Sequence, residues 1–261
     1  MIFDISESTR NAVQVRTQEY EEQLANGEMV PEAIRQLVPY MNIILALTEK
    51  YAAICMNPPY MGSGRFDEVL GKYVKDNYAE GKADLFSVFM QMGMERLADG
   101  GKMAQINMQN WMFLSSFEKL RNIFLHNYII DSMLHLGPRT FDELSGEVVQ
   151  NTSFVLSKRE PTSQGGTYYR LVDGKNCADK ELLFLSHKNG NEDGKRIYYP
   201  NVEQKNFEKI PGSPIGYWLG HNWGTIFKEY KPLGNKYALK KGMSTGDNAR
   251  FIRNWSEVSL S

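Results

Sequence analysis

The chain has 261 residues, 42% apolar and 23% charged, a balance that suits one large globular domain or one domain plus part of another. Its 30 lysines and arginines stand against 31 acidic residues, for a net charge of −1. The chain therefore lacks a whole-domain basic excess of the nucleic-acid-binding kind, and any such contact has to come from a local patch or from a part of the protein outside this chain. Cys55 and Cys177 are far apart, which argues against a disulfide framework and a zinc site; Cys55, in an apolar run, reads as a buried thiol. His126, His135, His187 and His221 show no metal-ligand spacing, so no metal site is assigned. Met1 to Tyr20 is polar, without a signal-peptide core. No apolar stretch approaches the ~20 residues of a membrane span, and the expectation is a cytoplasmic protein with no membrane partner.

Residues 1–30 are polar with scattered apolar positions, and Asn26-Gly27 marks a turn. Pro31 opens a predicted helix to about Lys50, kinked or restarted at Pro39, with Ile34, Leu37, Val38, Met41, Ile44, Leu45 and Thr48 on one face. Tyr51 to Met56 is a short apolar run halted by Asn-Pro-Pro, the length of a strand buried on both faces. From Asp84 to Leu97, apolar residues recur at helical spacing until Asp99-Gly100-Gly101; Lys102 to Asn107 reads as the next strand. Ser115-Ser116 is expected to cap a helix through Leu125 with Phe117, Leu120, Ile123 and Phe124 inward. Strands are predicted over Tyr128 to Leu136 and Thr152 to Leu156. The alternation is that of an α/β domain with a largely parallel sheet.

After Pro161 the character changes. Ser163 to Gly166 looks like a turn or linker, Thr167 to Val172 like a strand, and residues 173–205 are polar. The expected division is an N-terminal helical segment (1–50), a catalytic half-domain (51–165) and a further region (166–261).

Chemistry is expected at Asn57-Pro58-Pro59-Tyr60, because ligands of open α/β sheets gather at the carboxyl ends of strands. Asn57 offers a side-chain carbonyl and Pro58 a backbone carbonyl. Two prolines hold φ near about −65° and remove two backbone donors, so the turn is stiff. Tyr60 adds a π-face. The plain alternative, a rigid turn and nothing more, gives the same four residues.

These residues, with their surroundings, resemble the amino-DNA methyltransferases that modify adenine. Asn57 to Tyr60 matches their catalytic motif; Asp84 to Phe89 resembles the helix beside the donor pocket; Leu97 to Ile106, Asn110 to Met112 and Val149 to Lys158 resemble the steps after it. Phe207 to Trp218 and Gly242 to Trp255 are similar to the single-chain methyltransferases of BREX-type phage defence systems, where they lead into target recognition. The resemblance implies a partial Rossmann-like methyltransferase sheet with the start of a C-terminal target-recognition region. It also implies methyl transfer from S-adenosylmethionine to N6 of an adenine flipped out of double-stranded DNA. Asn57, Pro58 and Pro59 would form the turn that orients the amine, and Tyr60 and Phe141 would hold the base. Asp84 and Phe86 would contact the donor. Helix capping suits Asp84 equally, and a core role suits Phe86. Phe141 suits both stacking and anchoring its loop.

The sequence departs from this family in one respect. Between Met1 and Tyr51 the only glycine is Gly27, and no strand leads into a glycine-rich donor turn. Gly62-Ser63-Gly64 follows the wrong strand and reads as loop flexibility. The simplest account is a fragment whose partners include a missing N-terminal half or other defence-system subunits. Its open sheet edge would invite pairing, and its alternative function is that of a non-catalytic remnant that binds DNA or a partner. Methylation of RNA or of a protein glutamine shares the same turn chemistry. Lys228, Lys231, Lys236, Lys240 and Lys241, interleaved with Tyr230 and Tyr237, suit a phosphate track or a solvated surface.

Overall fold

The computed structural model describes residues 5–141, 149–160, 165–188, 196–220 and 222–238. Two helices come first, α1 (Glu7–Ala25) and α2 (Glu32–Thr48), packed on one another and joined through the Asn26-Gly27 turn, where Gly27 sits at φ 73°. Ser6 starts α1 by accepting from the amide of Thr9 at 3.1 Å, the side-chain cap that a free first-turn donor requires. The polar sequence of residues 1–30 conceals α1, because the helix buries only Thr17 fully. Pro31 occupies the N-cap of α2, and Pro39 lies inside a continuous helix rather than restarting it. Its inward face is narrower than expected: Val38 and Thr48 are buried, whereas Leu37 and Ile44 are exposed.

Next come β1 (Tyr51–Met56), α3 (Glu68–Asn77), α4 (Leu85–Arg96) and β2 (Leu97–Met108). The helix-to-strand switch falls at Leu97, earlier than the Asp99-Gly100-Gly101 signal. Those three residues belong to an irregular start of β2, where the register with β1 jumps between Tyr51↔Leu97 and Ala53↔Lys102 and Gly100 takes φ 73°. A short 3₁₀ turn, Ser115–Phe117, precedes α5 (Glu118–Asn127); Phe117 stands at its N-cap, so the expected serine cap is absent, and Ile123 faces outward. The chain continues through β3 (Ile129–Gly137), β4 (Asn151–Ser157), β5 (Gly166–Arg170), α6 (Cys177–Lys188), β6 (Tyr198–Val202) and α7 (Asn222–Glu229).

The six strands form one sheet in the order β1-β2-β4-β3-β5-β6. β1 runs parallel to β2 and β3 parallel to β5, while β4 is antiparallel to both β2 and β3, and β6 to β5. Hence β1, β2, β3 and β5 point the same way, and their carboxyl ends share one edge of the sheet. The fold is α/β with a mixed sheet, less parallel than the strand-helix rhythm implied. Phe86, Met103, Trp111, Phe124, Phe154 and Leu156 fill one core between the sheet and α4 and α5. Tyr168, Phe207 and Tyr217 belong to that same core, so the compositional change at 160–175 is not a break in the sheet.

The largest departure concerns β1. Its apolar composition predicts burial on both faces, yet Tyr51, Ala52, Ala53 and Cys55 are exposed, and Cys55 is an accessible free thiol. Its position explains this, since among the described residues β1 is the terminal strand and pairs only with β2.

Candidate active site

The turn leaves β1 at the carboxyl edge of the sheet, beside Gln105 of β2, which is the register partner of Met56. Asn57 and Pro59 are exposed, Pro58 is buried and Tyr60 is half-buried. The segment from Met61 to Ser63 is anchored rather than loose. The Met61 amide donates to Asp84 Oδ1 at 3.0 Å, the Leu85 amide to the Met61 carbonyl at 2.9 Å, and the Ser63 amide to the Ala83 carbonyl at 3.0 Å. Gly62 and Asp84 form an isolated bridge. The flexibility expected of Gly62-Ser63-Gly64 is therefore replaced by a clamp onto the start of α4.

Asp84 Oδ1 also accepts from the Phe86 amide at 3.2 Å, which makes it the N-cap of α4 as well as the anchor of the turn. Phe86 is a core ring, 1% exposed. It meets the Tyr60 ring edge-on, with centroids 6.3 Å apart at 87°, and lies 5.6 Å from Phe117. Tyr60 is thus braced from behind by an aromatic edge contact.

At its other end the Tyr60 hydroxyl accepts a hydrogen bond from Asn151 Nδ2 at 3.0 Å. Burial raises the Tyr60 phenol above its ordinary range, and the Asn151 bond partly offsets this. Asn151 Nδ2 also donates to the Asn107 carbonyl at 3.3 Å. Asn107 Oδ1 accepts from the indole of Trp111 at 3.0 Å, and Gln105 Nε2 donates to the Phe86 carbonyl at 3.3 Å. Among the described residues, three buried polar atoms in this group have no partner: Gln105 Oε1, Asn107 Nδ2 and Asn151 Oδ1. Their residues are 2%, 0% and 1% exposed, and unsatisfied groups at that depth are uncommon enough to mark a site.

A second network lies under the end of β3. His135 Nε2 is 2.7 Å from Gln109 Oε1 and its Nδ1 is 2.9 Å from the Tyr217 hydroxyl. Gln109 gives its amide hydrogens to Gln150 Oε1 at 2.5 Å, so its oxygen has to accept from His135. Nε2 therefore carries a proton. Burial, helped by the charges of Arg170 and Lys180, lowers His135 to about 4.

Of the residues singled out from sequence, Tyr60, Asp84 and Phe86 come together around the turn. Phe141 is half-buried on the bend after β3 and, among the described residues, makes no ring contact with Tyr60; residues 142–148 lie outside the described set. Asn151, Asn107, Gln105 and His135 were missed. Their only sequence signal is polarity inside strands that are otherwise apolar. Lys228, Lys231 and Lys236 are exposed, whereas Lys240, Lys241 and Gly242 to Trp255 lie outside the described residues. A cleft of about 190 Å³ involving Tyr199, Trp218 and Trp223 lies by β6, at the opposite end of the sheet from the turn. Among the described residues no His, Cys, Asp and Glu cluster could hold a metal ion, and no helix is long and apolar enough to cross a membrane.

Comparison with known proteins places this geometry in context. The chain is 42% identical over 218 residues to the "Adenine-specific methyltransferase PglX" of Lacticaseibacillus casei (strain Zhang), covering 82% of this chain and 18% of that protein. It is 39% identical over 230 residues to the "Adenine-specific methyltransferase BrxX" of Escherichia coli O9:H4 (strain HS), covering 88% and 18%. A looser structural likeness, TM-score 0.40 at 14% identity over 63% of this chain and 37% of the other, is to a type I restriction-modification system methyltransferase subunit from Streptococcus thermophilus. The chain spans 18% of the length of the curated relatives it matches. A family model described as "Eco57I restriction-modification methylase" matches residues 4–141, just over half of the chain. The chain therefore belongs to the Eco57I restriction-modification methylase family.

Proposed function

We propose that this chain supplies the adenine-presenting half of an adenine-N6 DNA methyltransferase acting in phage defence or restriction-modification. The observation that carries the reading is the clamped turn at the carboxyl end of β1, with Asn57 exposed and Tyr60 braced between Phe86 and Asn151. The names of the two curated relatives supply the substrate class.

Adenine's exocyclic amine is a poor nucleophile, because its lone pair is delocalised into the ring. The Asn57 side-chain carbonyl and the Pro58 backbone carbonyl would accept from the amine and turn its remaining lone-pair density outward. Positioning of this kind is a principal source of rate where no covalent intermediate is formed. Tyr60, joined by Phe141 once the base is out of the duplex, would stack on the flipped adenine; base-aromatic stacking contributes about 1–3 kcal/mol per base, which offsets much of an unstacking cost of a few kcal/mol. Asp84 would act through the turn it anchors. Residues from 166 onward would lead into target recognition, with the lysines from 228 on against phosphates.

S-adenosylmethionine, when bound, supplies an activated methyl group. The residues present do not make its site: among the described residues, α1 and α2 precede β1, with no strand and glycine-rich turn of the adenosine-cradling kind. Asp84 serves the turn and the α4 cap through Oδ1 and Phe86 is core, so any contact of these two with the donor would come only once the rest of its site is present. We place the donor cradle in an N-terminal half that pairs with the open edge of β1, covering the exposed Tyr51, Ala53 and Cys55.

The test is transfer of labelled methyl from S-adenosylmethionine to unmethylated DNA, by this chain alone and by this chain joined to the part of the L. casei relative outside the matched segment, which is proposed to carry the donor-binding half, with the products digested and identified. N6-methyladenine formed only by the restored enzyme is the expected result. Label appearing instead in RNA or in protein glutamine, or nowhere, would overturn the reading.

A further inference from the structure

The Asn107 carbonyl can only accept hydrogen bonds, so the Asn151 side chain must turn its NH₂ group toward it. That group has two hydrogens and two acceptors, the Asn107 carbonyl at 3.3 Å and the Tyr60 hydroxyl oxygen at 3.0 Å. The direction of the second bond is thereby set: Asn151 donates and Tyr60 accepts. Among the described residues the Tyr60 hydroxyl donates to nothing, so its own hydrogen remains available to whatever occupies the site. Asn151 is 1% exposed and stands at the first position of β4, paired with Met108 and Gly137 at the carboxyl ends of β2 and β3. A donor fixed to two strands holds the Tyr60 ring at a set angle, and Phe86 closes off the other side.

We infer that Asn151 is the positioning residue for Tyr60, fixing the ring against rotation and committing its hydroxyl as a hydrogen-bond donor toward the target nucleotide. Asn151 Oδ1, without a partner among the described residues, fits this assignment, since the amide orientation that serves Tyr60 leaves that acceptor unused. A residue kept for packing alone would not carry that deficit, because an apolar side chain would fill the space without stranding a polar atom. The inference rests on the methyltransferase reading for its consequence and on the hydrogen-bond geometry for its content.

Two measurements separate these. In the 261-residue chain carrying ¹³Cζ-tyrosine, Asn151→Ala should move the Tyr60 resonance, identified by its loss in Tyr60→Phe, and raise its titration midpoint, because the hydrogen bond that favours the phenolate is gone. An unchanged resonance and midpoint would overturn the inference whether or not the protein methylates anything. In the restored enzyme, Asn151→Ala should lower kcat about tenfold, the loss of one hydrogen bond of ~1.4 kcal/mol, with the KM for S-adenosylmethionine unchanged. Placed on Tyr60→Phe, the same substitution should cost no more than about twofold. An equal cost in both backgrounds would show that Asn151 acts independently of Tyr60 and would also overturn the inference. No turnover by the parent enzyme would count against the methyltransferase reading, while the resonance experiment would still decide the positioning.

Discussion

Arg121 Nη2 lies 2.6 Å from the carbonyl of Gly212, and Nε of the same guanidinium is 3.3 Å from it. The residue is 1% exposed, and its Nη1 donates to the carbonyls of Trp111 at 2.8 Å and Leu114 at 2.6 Å. One side chain on α5 thereby ties the loop after β2, which carries Trp111 beneath Asn107, to the segment that returns after β6. Burial lowers the guanidinium pKa, and Glu118 opposes that shift. Arg121→Ala would strand the carbonyls of Trp111 and Gly212, while the Leu114 carbonyl keeps the Phe117 amide at 3.2 Å, and each unsatisfied buried acceptor costs about 1–3 kcal/mol. The expected loss is at least about 2 kcal/mol of unfolding free energy in urea titration; a loss below about 1 kcal/mol would show that the segment is held by other means.

His135 gives a pH dependence whose sign is set by its burial. Its folded value is about 4 and its ordinary value 6.5. The unfolded chain therefore binds a proton between these values while the folded chain does not, and stability falls as pH drops through that window. The stabilisation is complete above about pH 6.5 and amounts to roughly 3 kcal/mol. Urea midpoints should decline between pH 6.5 and 4, and His135→Gln should flatten that part of the profile. An identical slope in the variant would contradict the assignment.

Tyr168 is fully buried and, among the described residues, its hydroxyl has no partner. Its ring stacks on Tyr217 with centroids 4.8 Å apart at 15°. Tyr168→Phe keeps the stack and removes the stranded oxygen, so it should raise stability by about 1 kcal/mol. A thermal midpoint that falls would show that the hydroxyl has a partner in solution.

The elements most readable from sequence are those whose patterns arise locally. β1 and the turn after it, the helix after Asp84, and β3 and β4 all lie within a residue or two of their predicted bounds. Contacts made at a distance are not readable. Nothing in Val149-Gln150-Asn151 announces that Asn151 reaches Tyr60, because only the β2-β4-β3 pairing brings them together. Burial of β1 is misjudged for the same reason: apolar composition records what a strand is suited to touch, while exposure depends on what pairs with it. The missed α1 shows the converse, a helix so polar that its periodicity carries no signal.

That suitability of β1 can be read chemically. Cys55 and Cys177 are both exposed and in no disulfide, so a thiol-reactive disulfide reagent should label both in the native 261-residue chain. When the donor-binding half is restored, Cys55 should become protected at least tenfold while Cys177 continues to react. Equal labelling of Cys55 with and without that half would place the partner elsewhere.

The most direct test of the central claim is Asn57→Ala in the restored enzyme, assayed for labelled methyl transfer to adenine and, in parallel, for DNA binding. Asn57 is exposed at the tip of the turn, so the substitution should leave folding and DNA affinity within twofold. Losing an acceptor that holds the amine should lower turnover at least a hundredfold, or about 2.7 kcal/mol in the barrier. Turnover retained within threefold of the parent would contradict the claim that this turn presents the reacting amine.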